Sequence, residues 1–363
     1  MTSTGPLTVE SLAVRPVSVP LRHPLQTASG ELPEAPLVLV DLTTREGVVG
    51  RSYAMAYTPL ALHPLARMIR DLDELVAGRP AAPAELSSAI SAKFRLLGLK
   101  GLPTMAQSTV DMAAWDALGR ATGLPVVRLL GGAPRPLPAY GSLRAMRPAD
   151  AAAEVSDLAE HGFTAYKGRV GFADVDSDRQ VVRAIRDTAG AGTRVAVDYN
   201  QSLTAPEAGE RLARLADEQL MWAEEPLDAN DFQGHARLRE QAPMPLQLGE
   251  NWWDAAEVAT SLQVGASDLA MVDVMRIGGV TGWLRAAGVA AAARVPLSSH
   301  LFPEVSAHLL AVSGTAHWLE YLDLAGPVLQ DPPRPSGGHY PIAETPGFGI
   351  DWDEDAVRRY LAG

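Results

Sequence analysis

The chain has 363 residues, of which 47% are hydrophobic and 20% charged, a composition typical of globular proteins that excludes a disordered chain. The formal net charge of -12 is spread along the chain, which argues against nucleic acid or an acidic membrane as a partner. The absence of cysteine excludes disulfides, thiolate metal sites and cysteine nucleophiles.

The first part of the chain predicts a small α+β unit. Alternating apolar residues predict a strand from Leu7 to Pro20, and two further strands, Pro36–Thr43 and Val48–Ala54, flank a glycine-containing turn typical of a hairpin. The polar segment 27–33 is predicted to be a mobile loop, and 54–59 a second loop. Helical spacing follows in three segments: 60–77, 84–98 and 106–122.

Strand and helix patterns alternate regularly after residue 134. The eight predicted strands are 137–140, 165–169, 195–198, 221–224, 246–250, 269–273, 296–300 and 318–322. Segments rich in Ala, Leu and Arg with helical spacing separate them, which predicts an α/β fold of the (β/α)8-barrel type. The Pro- and Gly-rich tail cannot form another such unit, so we expect it to pack against the N-terminal α+β segment.

We therefore expect three parts of the chain: an N-terminal α+β domain at 1–133, a barrel at 134–324 and a C-terminal segment at 325–363. The N-terminus lacks a basic segment followed by an apolar one. No uncharged run of about 18 or more apolar residues occurs. We expect a soluble cytoplasmic protein.

Polar residues close most of the predicted barrel strands. They are Asp198, Glu224, Glu250, Asp273, His300 and Glu320. Because parallel strands of a barrel end at one rim, these side chains are expected to face one cavity.

Three carboxylates, Asp198, Glu224 and Glu250, are spaced evenly along the chain at the ends of successive strands. Converging like charges are costly unless a cation neutralises them. Oxygen ligands without Cys or clustered His favour Mg²⁺ first, with Mn²⁺ or Ca²⁺ behind it. Each carboxylate could instead cap the following helix or pair with an arginine.

His300 and Asp273 end neighbouring strands, and a carboxylate beside imidazole fixes its tautomer and suits a general base. Lys167 and Arg169 alternate along the second strand, so both are expected to face the barrel interior. Glu320 could donate a hydrogen bond if its pKa were raised. A cation, a base and cationic side chains around one cavity suit removal of a proton α to a carboxylate, through an enediolate.

Several motifs together resemble the mandelate racemase subgroup of the enolase superfamily. They are the segments 197–203, Glu224-Glu225-Pro226, 249–252, 273–282, 298–302 and the Ala114-Trp115-Asp116-Ala117 helix. The resemblance implies Mg²⁺ bound by Asp198, Glu224 and Glu250. It also implies His300 as one base, Asp273 as the residue that orients it, and Glu320 as the acid that hydrogen-bonds the substrate carboxylate.

The resemblance further implies how a small carboxylate substrate is held. Lys167 and Ser142 match positions that hold the carboxylate, and Asn200 matches one near the substrate hydroxyl. The N-terminal domain would cap the barrel, with loop residues closing over substrate: Thr27, Ser29, Met55 and Tyr57. A homo-oligomer is expected from the resemblance alone.

The chain departs from the family on the second strand. The family pattern is Lys-x-Lys, whose second lysine is a base on the opposite face of the substrate; here the segment reads Lys167-Gly168-Arg169. Arginine is effectively never deprotonated in proteins, so it should be a poor base. This favours dehydration of an acid sugar, with proton abstraction from one face, over racemisation, which needs proton transfer on both faces. The apolar capping residues Leu25, Met55, Ala56 and Tyr57 favour instead an aryl- or alkyl-substituted 2-hydroxy acid.

We expect a mandelate racemase-like isomerase, with an acid-sugar dehydratase as the alternative. A barrel that binds an acid without catalysis is the third possibility, although the presence of His300, Asp273 and Glu320 argues against it.

Overall fold

The computed structural model describes residues 7–27, 30–171 and 174–363. Its first element is an antiparallel sheet of β1 (Val9–Thr27), β2 (Gly30–Thr44) and β3 (Val49–Met55), in that order. The hairpin predicted between the second and third strands is present, with Leu39 paired to Tyr53.

The prediction of a mobile loop at 27–33 is wrong over its described part. β1 reaches Thr27 and β2 begins at Gly30, and Leu25 pairs with Leu32 and Thr27 with Gly30. Backbone pairing satisfies the peptide groups here, so exposed polar side chains such as Glu31 are compatible with a strand, while Leu25 is buried and Leu32 packs against the core. Ser29, predicted on this loop, lies outside the described residues, as does the Thr27 side chain.

Five helices follow the sheet: α1 (Pro59–Asp71), α2 (Asp73–Val76), α3 (Pro83–Lys93), α4 (Leu102–Thr122) and α5 (Val126–Leu129). The longest of them, α4, is buried along most of its length between β3 and the barrel. Gly50 of β3 permits this approach, because a Cβ there would overlap the Ala113 carbonyl oxygen. Asp111 of α4 accepts a hydrogen bond from Thr281 N at 3.0 Å, which ties the helix to the barrel.

The barrel consists of eight parallel strands. They are β4 (Leu137–Ser142), β5 (Ala165–Arg169), β6 (Arg194–Asp198), β7 (Ala223–Glu224), β8 (Leu246–Leu248), β9 (Leu269–Asp273), β10 (Leu297–His300) and β11 (Leu319–Tyr321). The circle closes between the last two strands, where Ser299 N donates to Trp318 O at 3.0 Å. The prediction of a (β/α)8-type barrel is confirmed.

A helix follows each of the first seven barrel strands. These are α6 (Pro148–Ala159), α7 (Val175–Ala189), α8 (Ala205–Arg214), α9 (Phe232–Arg239), α10 (Ala255–Gln263), α11 (Gly279–Ala293) and α12 (Pro303–Leu310). No helix in the described part of the chain is long and apolar enough to cross a membrane.

The C-terminal tail contacts both parts of the molecule. Its short strand β12 (His339–Tyr340) pairs antiparallel with the start of β4. Its helix α13 (Glu354–Tyr360) contacts β1, and Ala362 N donates to Pro16 O at 3.0 Å. The tail therefore holds the N-terminal sheet and also extends the barrel sheet, a second contact that its composition did not indicate.

One glycine determines how the chain leaves β8 and reaches the rim. Gly249 has a φ of +128°, a backbone conformation that L side chains rarely adopt, and a Cβ there would overlap the Met271 carbonyl oxygen. The glycine thus lets the chain turn directly after Leu248 and places Glu250 beside the ends of β6 and β7.

We predict that Gly249→Ala lowers the free energy of unfolding by about 2 kcal/mol or more, because it adds a steric overlap and a strained φ. Gly288→Ala is the matched control, since Gly288 lies on an exposed face of α11 with no atom within 4 Å of the new Cβ. The control should be neutral or stabilising. Urea unfolding measures the free energy of unfolding of both variants, and an equal effect of the two substitutions would contradict the prediction.

Candidate active site

Asp198, Glu224 and Glu250 converge at the carboxyl-end rim of the barrel. One carboxylate oxygen from each lies within 4.8 Å of the others. All three residues are buried, with exposed fractions of 1%, 0% and 7%. Burial raises the pKa of Glu224 to about 8, the neighbouring carboxylates acting in the same direction and Lys167 against them. Burial also raises the pKa of Asp198; it acts in the same direction on Glu250, but there His300, Lys167 and Arg276 outweigh it and lower the pKa.

Lys167 supplies positive charge to this cluster from β5. Its Nζ donates to Glu224 Oε1, lies 2.9 Å from Glu320 Oε1 and 3.4 Å from Asp198 Oδ2. Burial lowers the pKa of Lys167, but the Glu224 and Glu320 carboxylates outweigh it and hold the pKa well above its usual value. The ammonium group is therefore charged and is placed among three carboxylates.

Two residues that the sequence did not single out also hold Glu224. Trp222 Nε1 and Gln247 Nε2 donate to Glu224 Oε2 at 3.1 and 3.0 Å. Trp222 lies two residues before Glu224 and so shares its face of the strand, and Gln247 is its register partner on β8. The period-two spacing could have identified Trp222, whereas Gln247 required the register of the neighbouring strand.

His300 and Asp273 are register partners on β10 and β9, as their strand-end positions predicted. His300 Nδ1 lies 2.7 Å from Asp273 Oδ2, and His300 Nε2 lies 3.3 Å from Glu250 Oε2. Burial lowers the pKa of the His300 imidazole, but Glu250, Glu320 and Asp273 outweigh it and raise the pKa to about 9. The contact through Nδ1 leaves Nε2 as the nitrogen that faces the carboxylate cluster.

Glu320 does not have the raised pKa that we considered for it. Burial raises the pKa of Glu320, but Lys167, His300 and the Leu301 N–H together lower it to about 2. Its Oε2 accepts from Leu301 N at 3.0 Å and its Oε1 lies 2.9 Å from Lys167 Nζ. Among the protein's own groups Glu320 is therefore an acceptor and not a donor, because a cation lies against it.

Arg169 lies at the rim end of β5, opposite Asp198 of β6. Its Nη1 donates to Asn200 Oδ1 at 2.5 Å and its Nε donates to Leu143 O at 3.2 Å. Asn200 Nδ2 donates in turn to Asp198 Oδ2 at 3.0 Å. The guanidinium group is thus held at two of its nitrogens and is connected through Asn200 to the carboxylate cluster.

Ser142 ends β4 and is the register partner of Lys167 on β5. Among the described residues a cavity opens above the rim. It is lined on its apolar side by Leu25, Met55, Tyr57, Leu60 and Leu322, and on its polar side by Arg169, Asn200, Glu250, Arg276 and His300. Of the residues predicted for the cap, Met55 and Tyr57 reach the cavity, whereas Ser29 and the Thr27 side chain lie outside the described part of the chain.

Tyr57 makes a contact that the sequence did not predict. Its hydroxyl donates to Asp273 Oδ2 at 2.9 Å, and the Arg276 guanidinium lies 4.4 Å from the centre of its ring. Arg276 also donates to Asn251 Oδ1, and Asn251 Nδ2 donates to the buried Glu225. These residues form a polar network next to the cluster, which only the tertiary structure reveals.

Two family models match the chain. Residues 9–131 match the N-terminal domain of the mandelate racemase/muconate lactonizing enzyme family, and residues 150–356 match the enolase C-terminal domain-like family. The chain belongs to the mandelate racemase/muconate lactonizing enzyme group of the enolase superfamily. It is an enolase superfamily enzyme, as its motifs indicated.

Three similar proteins illustrate the range of the group. A solved structure of an enolase from Bradyrhizobium, complexed with magnesium and mandelic acid, is 44% identical, covers 99% of this chain and 100% of that one, and has a TM-score of 0.95. L-talarate/galactarate dehydratase from Salmonella typhimurium is 27% identical over 355 residues, 96% of this chain and 89% of that protein. N-succinyl-L-Arg/Lys racemase from Bacillus cereus is 24% identical over 354 residues, 94% of this chain and 95% of that protein.

We predict that Lys167→Met lowers the free energy of unfolding by about 3 kcal/mol in metal-free buffer, because it leaves buried carboxylates without their counter-charge. Lys100→Met is the matched control, since the Lys100 side chain is 62% exposed in its ion pair with Glu257. That pair should contribute about 1 kcal/mol or less. Chemical unfolding measures the free energy of unfolding of both variants. Equal losses of stability would show that the buried contacts of Lys167 are not stabilising.

Proposed function

We propose that this chain is a Mg²⁺-dependent enzyme that removes the proton α to a carboxylate, most simply to racemise a 2-hydroxy acid. The observation that carries the proposal is the His300–Asp273 pair, with His300 Nε2 3.3 Å from a carboxylate of the oxygen cluster. A base and an acidic cluster that needs a cation then face one cavity, as proton abstraction next to a carboxylate requires.

The donor set fits a hard divalent cation. Asp198, Glu224 and Glu250 offer only oxygen atoms, close enough for one ion to contact all three. The Bradyrhizobium relative carries magnesium, which supports the same ion here. When bound, Mg²⁺ would supply positive charge where the substrate carboxylate gains negative charge.

The roles that we assign to the remaining side chains rest on the family resemblance. In its neutral form His300 takes the α-proton at Nε2 while Asp273 holds Nδ1 and fixes the tautomer. Lys167 and Ser142 bind the substrate carboxylate, and Asn200 lies within reach of the 2-hydroxyl. Glu320 completes the binding of the carboxylate, as a donor only if a proton is supplied to it.

The apolar half of the cavity favours an aryl or alkyl substituent on the substrate. Leu25, Met55 and Leu322 offer no polar side-chain atoms that could bind the hydroxyl groups of a sugar. Mandelic acid in the Bradyrhizobium relative supports this substrate class. We therefore assign a 2-hydroxy acid with an apolar substituent as the first substrate class to test.

Arg169 supports a second candidate, dehydration of an acid sugar. Racemisation needs proton transfer on both faces of the substrate, but a guanidinium held by Asn200 and Leu143 is a poor base. Dehydration needs abstraction on one face only, with His300 able to act as base and then as acid. The curated relatives include several acid-sugar dehydratases, which also supports this candidate.

We predict that Gln247→Leu weakens Mg²⁺ binding about tenfold, since it removes a hydrogen bond that orients Glu224. Isothermal titration calorimetry with MgCl₂ measures the effect without any substrate. Glu224→Gln, which removes the charge of one proposed ligand, should abolish binding. Unchanged affinity in Gln247→Leu would contradict the orienting role.

We predict that wild-type protein with Mg²⁺ exchanges solvent deuterium into Cα of 2-hydroxy acids such as mandelate with a strong stereochemical bias. The enantiomer whose α-proton faces His300 should exchange about 100-fold faster than the other. Proton NMR on both enantiomers measures the rates.

Arg169→Lys should raise exchange of the slow enantiomer, because lysine can lose its proton. Arg169→Met is the control and should give no such gain, and His300→Asn should abolish exchange of the fast enantiomer. If deuterium enters neither enantiomer of any 2-hydroxy acid tested, racemisation is wrong. A 2-keto product from an acid-sugar panel would then establish dehydration.

A further inference from the structure

The capping segment, residues 56–58 between β3 and α1, approaches the barrel at the His300–Asp273 pair. Ala56 N donates to Pro36 O at 2.8 Å, and the next residue, Tyr57, has a φ of +57°. For a bulky aromatic residue this left-handed backbone is costly, so the surrounding contacts must hold it in place. Those contacts are made with the segment that follows β9.

Two donors meet on one oxygen of Asp273. Its Oδ2 accepts from the Tyr57 hydroxyl at 2.9 Å and lies 2.7 Å from His300 Nδ1. Its Oδ1 accepts from the backbone N–H groups of Met275 and Arg276, at 2.7 and 3.0 Å. The carboxylate is therefore fixed at both oxygens, and one of the four donors comes from the capping segment.

Arg276 contacts Tyr57 at both its ring and its hydroxyl. Arg276 stacks on the ring at 4.4 Å, and its Nε lies 3.3 Å from the Tyr57 oxygen. Nearby, the Met55 N–H contacts Met275 Sδ at 3.3 Å. The end of β3 and the capping segment thus contact Asp273, the last residue of β9, and two residues of the turn after it, Met275 and Arg276.

We propose that Tyr57 is a positioning residue for the His300 imidazole and acts through Asp273. The proposal rests on the proposed function, because it presumes that His300 accepts the substrate proton. The hydroxyl of Tyr57 restricts rotation of the Asp273 carboxylate, and that carboxylate sets the orientation of the ring on His300. The base is then fully oriented only while the capping segment is seated on the barrel.

The alternative is that Tyr57 serves only as a wall of the cavity, which it also lines. The two roles predict different kinetics. A wall residue affects how tightly substrate binds, whereas a residue that orients the base affects the rate once substrate is bound.

Tyr57→Phe separates these roles, because it removes the hydroxyl and keeps the ring on which Arg276 stacks. We expect kcat for exchange of the fast enantiomer to fall about tenfold, with KM changed less than about twofold. Tyr53→Phe is the matched control. Tyr53 lies four residues earlier, is buried, and donates to the carboxylate of Glu304 at 2.7 Å, but it has no contact with the His300–Asp273 pair among the described hydrogen bonds.

A spectroscopic measurement tests the same idea without turnover. The His300 Nδ1 proton, hydrogen-bonded to a carboxylate, should give a downfield proton resonance, identified by its loss in His300→Asn. In the Mg²⁺-loaded full chain, Tyr57→Phe should shift or broaden this resonance and Tyr53→Phe should not.

An unchanged kcat in Tyr57→Phe, a rise in KM alone, or an equal loss in Tyr53→Phe would each overturn the proposal. If wild-type protein exchanges no 2-hydroxy acid, the proposed function fails, but the His300 resonance still tests whether Tyr57 positions the imidazole. An unshifted resonance would then overturn the positioning role, and a shifted one would support it.

Discussion

The site depends on the convergence of like charges at the rim of a closed barrel. Asp198, Glu224 and Glu250 are brought within a few ångströms of one another in a buried setting, which is unfavourable without positive charge. Lys167 compensates in part, since its Nζ lies among Glu224, Glu320 and Asp198. A cation that entered the cluster would share this compensation.

The strand-end rule accounts for the part of the site that the sequence predicted. Residues that end parallel strands must meet at one rim, so Asp273 and His300 could be placed side by side from spacing alone. Gln247 and Tyr57 could not be found in this way. The first depends on the register between β7 and β8, and the second on how a separate sheet docks onto the barrel.

The fold, too, was predictable in one part and not in another. The barrel was predictable because each strand is a buried apolar run, whereas the ribbon of β1 and β2 was missed near Gly30. There Gly30, Glu31 and Glu34 are exposed, so the sequence lacks the apolar alternation typical of a strand although the backbones pair. Glu320 is a further case, since its pKa depends on Lys167 lying against it, which no local pattern encodes. At Arg169 the sequence and the structure lead to the same conclusion. The arginine stands where the family has a lysine, and its guanidinium makes two hydrogen bonds, so both observations argue against a base at this position.

The central claim is that the three rim carboxylates bind one divalent cation. The most direct measurement is a crystal structure of the protein grown with Mg²⁺ and without substrate. The account predicts an ion at about 2.1 Å from one oxygen each of Asp198, Glu224 and Glu250, within reach of the imidazole of His300. A cluster that holds no ion at saturating Mg²⁺, with Lys167 still seated among the carboxylates, would contradict it.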